Sequence, residues 1–171
     1  KSIENLYEEL MRQREMRKDL IADTRSLIAN TEKGKTIITV NTGTDLLDYQ
    51  VTEIAHRQIA ERLNIPFKYY ERMRTDFSML LDANINGWLK LKSEKRMLRT
   101  LDGNLRAFLS NRYRRLDNLE LVDHILPVIT QMKNCTIASC DITETHLYLK
   151  VINKSMKAEI TKGDIVQAGF V

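Results

Sequence analysis

The chain is 171 residues long, with 43% apolar and 29% charged residues, two prolines and six glycines, which argues for one domain with at most a helical appendage. A chain of this size buries roughly 70% of its surface on folding, so no disulfide or metal staple is required, and collagen-like, low-complexity and disordered classes are excluded. No apolar run reaches the roughly 18 residues of a membrane span, and the charged start (Lys1, Glu4, Glu8, Glu9) is unlike a signal peptide; a soluble, intracellular protein is expected.

Residues 3 to 30 hold no Gly or Pro and place apolar side chains at Ile3, Leu6, Tyr7, Leu10, Leu20, Ile21, Leu27 and Ile28. The spacing predicts a long amphipathic helix with a polar interruption around Arg12 to Asp19, able to meet a partner or a second copy. Gly34 breaks it, and the β-branched run Thr36 to Val40 reads as a strand. Asp45 to Val51 reads as either a short strand or a loop.

Thr52 is the expected N-cap of a helix with Ile54, Ala55, Ile59 and Leu63 on its apolar face. Pro66 opens a short helix through Met73. Asp76 caps another, Phe77 to about Leu91, with Met79, Leu80, Ala83 and Trp88 expected inward.

Beyond Lys95 the apolar period shortens toward two, and Asp102-Gly103 between Met97–Leu101 and Leu105–Leu109 is a strong hairpin signal. Asp117 caps a helix to about Met132 containing Pro127. Cys135–Ile142 and Thr145–Asn153 read as strands joined near Thr143-Glu144, and Asp164–Val171 is an apolar run that stops like an interrupted strand, so a longer natural chain is expected. The fold class is α+β: a helical N-terminal half, then a β-β-α-β-β unit packing a helix on an antiparallel sheet. As domains, this gives the helix over 1–30 and an α+β domain over 31–171.

The formal charge is only +4, from 27 basic and 23 acidic residues, but it is unevenly spread. Nine basic side chains and two acidic ones fall between Lys90 and Arg115, a local +7, so the rest of the chain sums to −3. Such a concentration suits an anion-binding face. Aromatic residues interleave with it at Phe108 and Tyr113, and Tyr69, Tyr70, Arg72 and Arg74 repeat the theme on a short helix. Arginine forks bind phosphates and aromatic faces stack bases, a combination suited to single-stranded nucleic acid.

Other chemistries find less support. His56, His124 and His146 have no partner at metal-binding spacing, and Cys135 and Cys140 form no CxxC, so no metal or cofactor is expected. Glu53 and His56 lie one turn apart, an acid–base pair or a surface contact. Asp141, Glu144 and Lys150 lack the Glu-x-Lys half of a strand-borne nuclease pattern. There is no phosphate loop and no nucleophile elbow, and an enzyme is not indicated.

The segment Arg99 to Asn118 (RTLDGNLRAFLSNRYRRLDN), with Ala55–Ala60, Leu63–Pro66 and the ending Gly163–Val171, resembles a phage/plasmid-like family of unknown function found in bacteriophages, prophages and plasmids. The likeness runs from about residue 45 to the end, and the chain is similar to the N-terminal part of that family. It carries over no catalytic residue. It implies a mobile-element setting in the cytoplasm of a bacterial host, where recombination, replication and counter-defence proteins are common.

The expected function is therefore binding of nucleic acid, single-stranded DNA, in phage recombination or replication, through Arg96, Arg99, Arg106, Arg112, Tyr113, Arg114 and Arg115. Self-association through the N-terminal helix is expected beside it, and no membrane contact. The alternative is a protein-interaction module, such as an inhibitor of a host defence enzyme; a hydrolase completed by a further C-terminal portion is the third reading.

Overall fold

The computed structural model describes residues 2–171, which fold as two units, one of residues 16–114 and one of residues 2–15 with 115–171. In chain order the elements are α1 (Ile3–Met16), β1 (Leu20–Asp23), β2 (Leu27–Glu32), β3 (Lys35–Asn41), β4 (Leu46–Val51), α2 (Glu53–Arg62), α3 (Phe67–Asp76), α4 (Ser78–Leu91), β5 (Lys95–Leu101), β6 (Asn104–Ser110), α5 (Asn118–Gln131), β7 (Cys135–Ile142), β8 (Leu147–Thr161) and β9 (Asp164–Phe170). The chain is thus mixed α and β, with its strands in two sheets.

The first unit is built on a six-stranded sheet of order β1-β5-β6-β4-β3-β2, antiparallel except where β4 runs parallel to β6. Alternation selects the buried face: Leu27, Ala29 and Thr31 on β2 and Thr36, Ile38 and Val40 on β3 point the same way, as their pairing requires. Ala29, Ile38, Val40, Leu98, Leu105 and Phe108 share one core with Ala55, Ile59, Tyr70, Met73, Leu81 and Ile85 from the helices. Thr52 ties helix to sheet. Its hydroxyl accepts from Ala55 N and donates to Leu105 O at 3.0 Å, so α2 starts where β4 leaves β6. Beyond that point Phe108 N–H has no strand beside it and donates instead to Gln58 Oε1, 2.7 Å away.

The edge strand β2 is closed in the same way. Asn86 accepts from Ala29 N (2.7 Å) and donates to Ala29 O (2.9 Å), while Asp82 accepts from Thr31 N (2.8 Å) and from the Thr31 hydroxyl (2.6 Å). The i,i+4 spacing of Asp82 and Asn86 matches the two-residue step of outward-pointing backbone groups on the strand. Replacing Asp82 by Ala is expected to cost about 2 kcal/mol, because it orphans two donors to a charged acceptor. Urea unfolding followed by circular dichroism checks this, and a loss below about 0.5 kcal/mol would mean the edge is not held by that carboxylate.

The second unit packs α1 and α5 with the sheet β7-β8-β9. Leu6 and Leu10 of α1 are buried with Leu119, Val122 and Cys140, and Tyr7 donates to Asp123 Oδ1 at 3.1 Å. The far half of β8 and the whole of β9 are exposed. Gly169 sits against Val151 O at a distance where a Cβ would come within 2.3 Å, so only glycine lets β9 reach β8 there.

Four expectations are corrected. The helix over 3–30 is real only to Met16; Leu20–Glu32 is strand, 3-10 turn and strand, because the run pairs with β5 and β3. The first half accordingly keeps the helices α1 to α4 but adds the strands β1 to β4 to them. The boundary at residue 30 also moves, since α1 packs with residues beyond 115 while Leu20–Glu32 belongs to the six-stranded sheet. The β-β-α-β-β unit does not close on itself: its hairpin joins the six-stranded sheet, and α5 packs with β7 in the other unit. Finally, on α4 the buried residues are Leu81, Ile85 and Leu89, with Leu80 packed against the core as expected; Met79 (75% exposed), Ala83 and Trp88 (48%) lie outside. The apolar stripe was displaced by a fraction of a turn, since both faces of this helix carry apolar side chains.

Candidate nucleic-acid interface

Asp102 (φ 50°) and Gly103 (φ 75°) adopt the left-handed pair of a two-residue hairpin turn, so β5 and β6 form the expected ladder, with a bulge after Arg99 that leaves Arg106 as the extra residue. The ladder fixes which way each arginine points.

Two of them are engaged within the fold. Arg96 lies on the helix-covered face, its guanidinium 5.7 Å from the Phe108 ring and bonded to Glu94 at 2.7–2.8 Å. Glu94 also binds Arg62. Arg99 projects to the opposite face and donates to Asp19 Oδ2 at 3.1 Å; Asp19 is 3% exposed at its side chain and also accepts from Thr100 N. Their side chains are 12% and 16% exposed. Each already has a carboxylate, so neither offers an open fork to a phosphate. Arg106 is half-buried at the bulge.

The residues after β6 are different. Arg112, Tyr113 and Arg114 are all exposed, and among the described residues neither guanidinium is held in an ion pair. Tyr113 keeps 42% of its surface, its amide turned back to Ser110 O at 3.0 Å. Arg115 is exposed and belongs to the other unit. Arg96 pairs with Ser110 across the ladder, so the Arg112–Arg114 segment leaves the sheet at the end where β5 begins. Pairing thus separates the arginines into structural and displayed sets, which charge counting alone does not.

The tyrosines and arginines of α3 divide likewise. Tyr70 is fully buried and shares a 2.8 Å hydrogen bond with His56 Nδ1; burial raises the phenol pKa and lowers the imidazole's to about 4. Arg74 bridges Glu53 and Glu71 at 2.7 Å each, so Glu53 meets an arginine instead of His56. Tyr69 stays 48% exposed. The other histidines have local partners, His124 at Glu120 O and His146 at the Thr145 hydroxyl. Neither cysteine forms a disulfide, and the Cys140 thiol donates to Ser2 O at 3.0 Å. Among the described residues no three metal-ligating side chains converge, and no helix is long and apolar enough to cross a membrane.

Compared with protein-family models, curated proteins and solved structures, the chain gives no match in any of the three.

Proposed function

We propose that this protein binds single-stranded nucleic acid through the exposed segment Arg112-Tyr113-Arg114. The observation that carries this is the contrast just described: within one basic stretch, Arg96 and Arg99 are neutralised by Glu94 and Asp19, whereas Arg112 and Arg114 flank an exposed tyrosine with no carboxylate of their own. Guanidinium groups bind phosphate oxygens in pairs, and an aromatic face between them stacks any base. A groove-reading helix or ribbon for duplex DNA is a different arrangement from a short, irregular connecting segment. The mobile-element setting implied by the sequence resemblance fits strand recombination or replication in the cytoplasm of a bacterial host.

The test is fluorescence anisotropy of labelled single- and double-stranded oligonucleotides across a salt series. Arg112→Ala with Arg114→Ala is expected to weaken single-strand binding and to reduce the log–log salt slope by about 0.7 per lost phosphate contact, without shifting the thermal midpoint. Unchanged affinity sinks the assignment.

A second reading, a protein-interaction module, is favoured by one observation: Ile160, Ile165, Val166 and Phe170 stand exposed on β8 and β9. Absence of oligonucleotide binding at low salt would move the function there. The N-terminal helix gives that reading less, because Leu6 and Leu10 are already buried within their own unit.

A further inference from the structure

A groove of about 410 Å³ opens in the first unit, between the end of α2, the start of α3 and the last turns of α4. Tyr69 and Trp88 line it, and each keeps 48% of its surface open. Neither ring packs against another aromatic side chain among the described residues. The groove is therefore lined by two large aromatic side chains, each about half open to solvent.

Two asparagines stand in its lining. Asn64 ends α2 in a left-handed conformation (φ 52°), fixed by Asn64 N to Glu61 O (3.1 Å) and Ile65 N to Ala60 O (2.9 Å). Asn84 spends its amide nitrogen on Leu80 O at 2.8 Å, which leaves its carbonyl oxygen to accept. The electrostatics are one-sided. Glu94 is the acidic side chain of the lining, and it is bound by both Arg62 and Arg96. Lys92 is exposed and holds no ion pair among the described residues. An occupant should accordingly be planar and aromatic at one end, able to hydrogen-bond at its edge, and anionic at the other.

We infer that this groove binds a nucleotide unit: a base against Trp88 and Tyr69, its edge toward Asn64 and Asn84, its phosphate at Lys92. The volume is that of a small-ligand site. A purely apolar peptide would gain nothing from Lys92 and would offer no donor to the Asn84 carbonyl oxygen. The position agrees with this. Glu94 immediately precedes β5, and Arg96 pairs with Ser110, so the groove lies at the end of the sheet from which the Arg112–Arg114 segment departs. The inference goes beyond that segment and stands without it.

Trp88 is the single tryptophan of the chain and lines this groove and a shallower one beside it formed with Ala83, Gly87 and Leu91, so its fluorescence reports on this end of α4, and Tyr69→Ala assigns the signal to the groove. The full chain is titrated with adenosine 5′-monophosphate, thymidine 5′-monophosphate and oligothymidylate, with ribose 5-phosphate as the baseless control. Saturable quenching by the mononucleotides is expected, absent with ribose 5-phosphate. Tyr69→Ala should weaken it at least tenfold and Lys92→Ala severalfold, with thermal melts unchanged because both side chains are exposed. A tighter response to oligothymidylate than to the monomer identifies a base within a strand as the occupant; equal responses identify a free nucleotide. Linear, non-saturating quenching, or quenching indifferent to Tyr69→Ala, overturns the inference. Arg112→Ala with Arg114→Ala keeps the two sites apart: it is expected to reduce oligonucleotide anisotropy while mononucleotide quenching persists.

Discussion

Replacing Asp19 by Ala is expected to destabilise the protein by about 3–5 kcal/mol, the cost of leaving the other member of a buried ion pair alone. Asp19 accepts from Arg99 Nε at 3.1 Å and from Thr100 N at 3.2 Å, with Arg17 Nε 4.0 Å away. The carboxylate is almost wholly enclosed, so water cannot replace it, and Arg99 would keep a largely covered, uncompensated charge. The chain before β1 is fastened at the same place by Thr100, whose hydroxyl donates to Lys18 O at 2.5 Å. Urea titration followed by circular dichroism measures the effect. Arg72→Ala provides the contrast, since the Arg72–Asp76 pair is 76% and 68% exposed at its side chains and should be worth less than about 0.5 kcal/mol. If the two substitutions cost the same, Asp19 does not immobilise Arg99, and Arg99 returns as a candidate phosphate contact. As the structure stands, Arg99→Ala should show its effect in stability before it shows in binding.

Stability is expected to fall as the pH drops from 6.5 toward 4. His56 is 1% exposed, and its pKa is pushed down to about 4, chiefly by burial and then by the charge of Arg74, with Glu53 opposing. In the unfolded chain a histidine titrates near ~6.5. The unfolded state therefore takes up the proton first. The contribution of neutral His56 is complete above about pH 6.5 and is lost as the pH falls through that window. The linkage amounts to about 2 kcal/mol by pH 5 and about 3 kcal/mol once both states are protonated. Urea midpoints at pH 7.5, 6.5, 5.5 and 5.0 read it directly. His56→Leu should flatten the slope between pH 6.5 and 5; an unchanged slope would assign it to other groups. Tyr70→Phe tests the partner, removing the 2.8 Å bond to Nδ1 at a cost of about 1–2 kcal/mol.

Several elements are legible in the sequence because their signal is local. Asp102-Gly103 specifies a turn because the pair tolerates the left-handed backbone at low cost, and both residues have positive φ. Thr52 caps α2, Pro66 precedes α3, and Cys135–Ile142 is a strand with the expected bounds. Each depends on residues within a few positions of one another.

The candidate site was only half legible, and for a definite reason. Basic residues and their density are read directly, but whether a guanidinium is displayed or consumed depends on a carboxylate elsewhere: Asp19 is 80 residues from Arg99 along the chain, and no periodicity reports that. Parity in the hairpin also waited on the sheet, because the bulge after Arg99 shifts the alternation and because β1 and β6 flank β5 on either side. Trp88 was expected in the core by its size and spacing, yet α4 turns Leu81, Ile85 and Leu89 to the sheet and Asp82 and Asn86 to its edge, which leaves the indole at the groove.

By itself, then, the sequence determined the local devices: the turn, the Thr52 cap, most strands and the location of the charge; the cap expected at Asp76 is instead the end of α3, with Phe77 preceding α4. The tertiary structure decided that Leu20–Glu32 is β rather than helix, that the hairpin joins the first sheet rather than α5, and that Arg96 and Arg99 are engaged by carboxylates while Arg112 and Arg114 stay open. These are decisions about pairing between distant segments, where a run compatible with either period takes the conformation its neighbours can hydrogen-bond and bury.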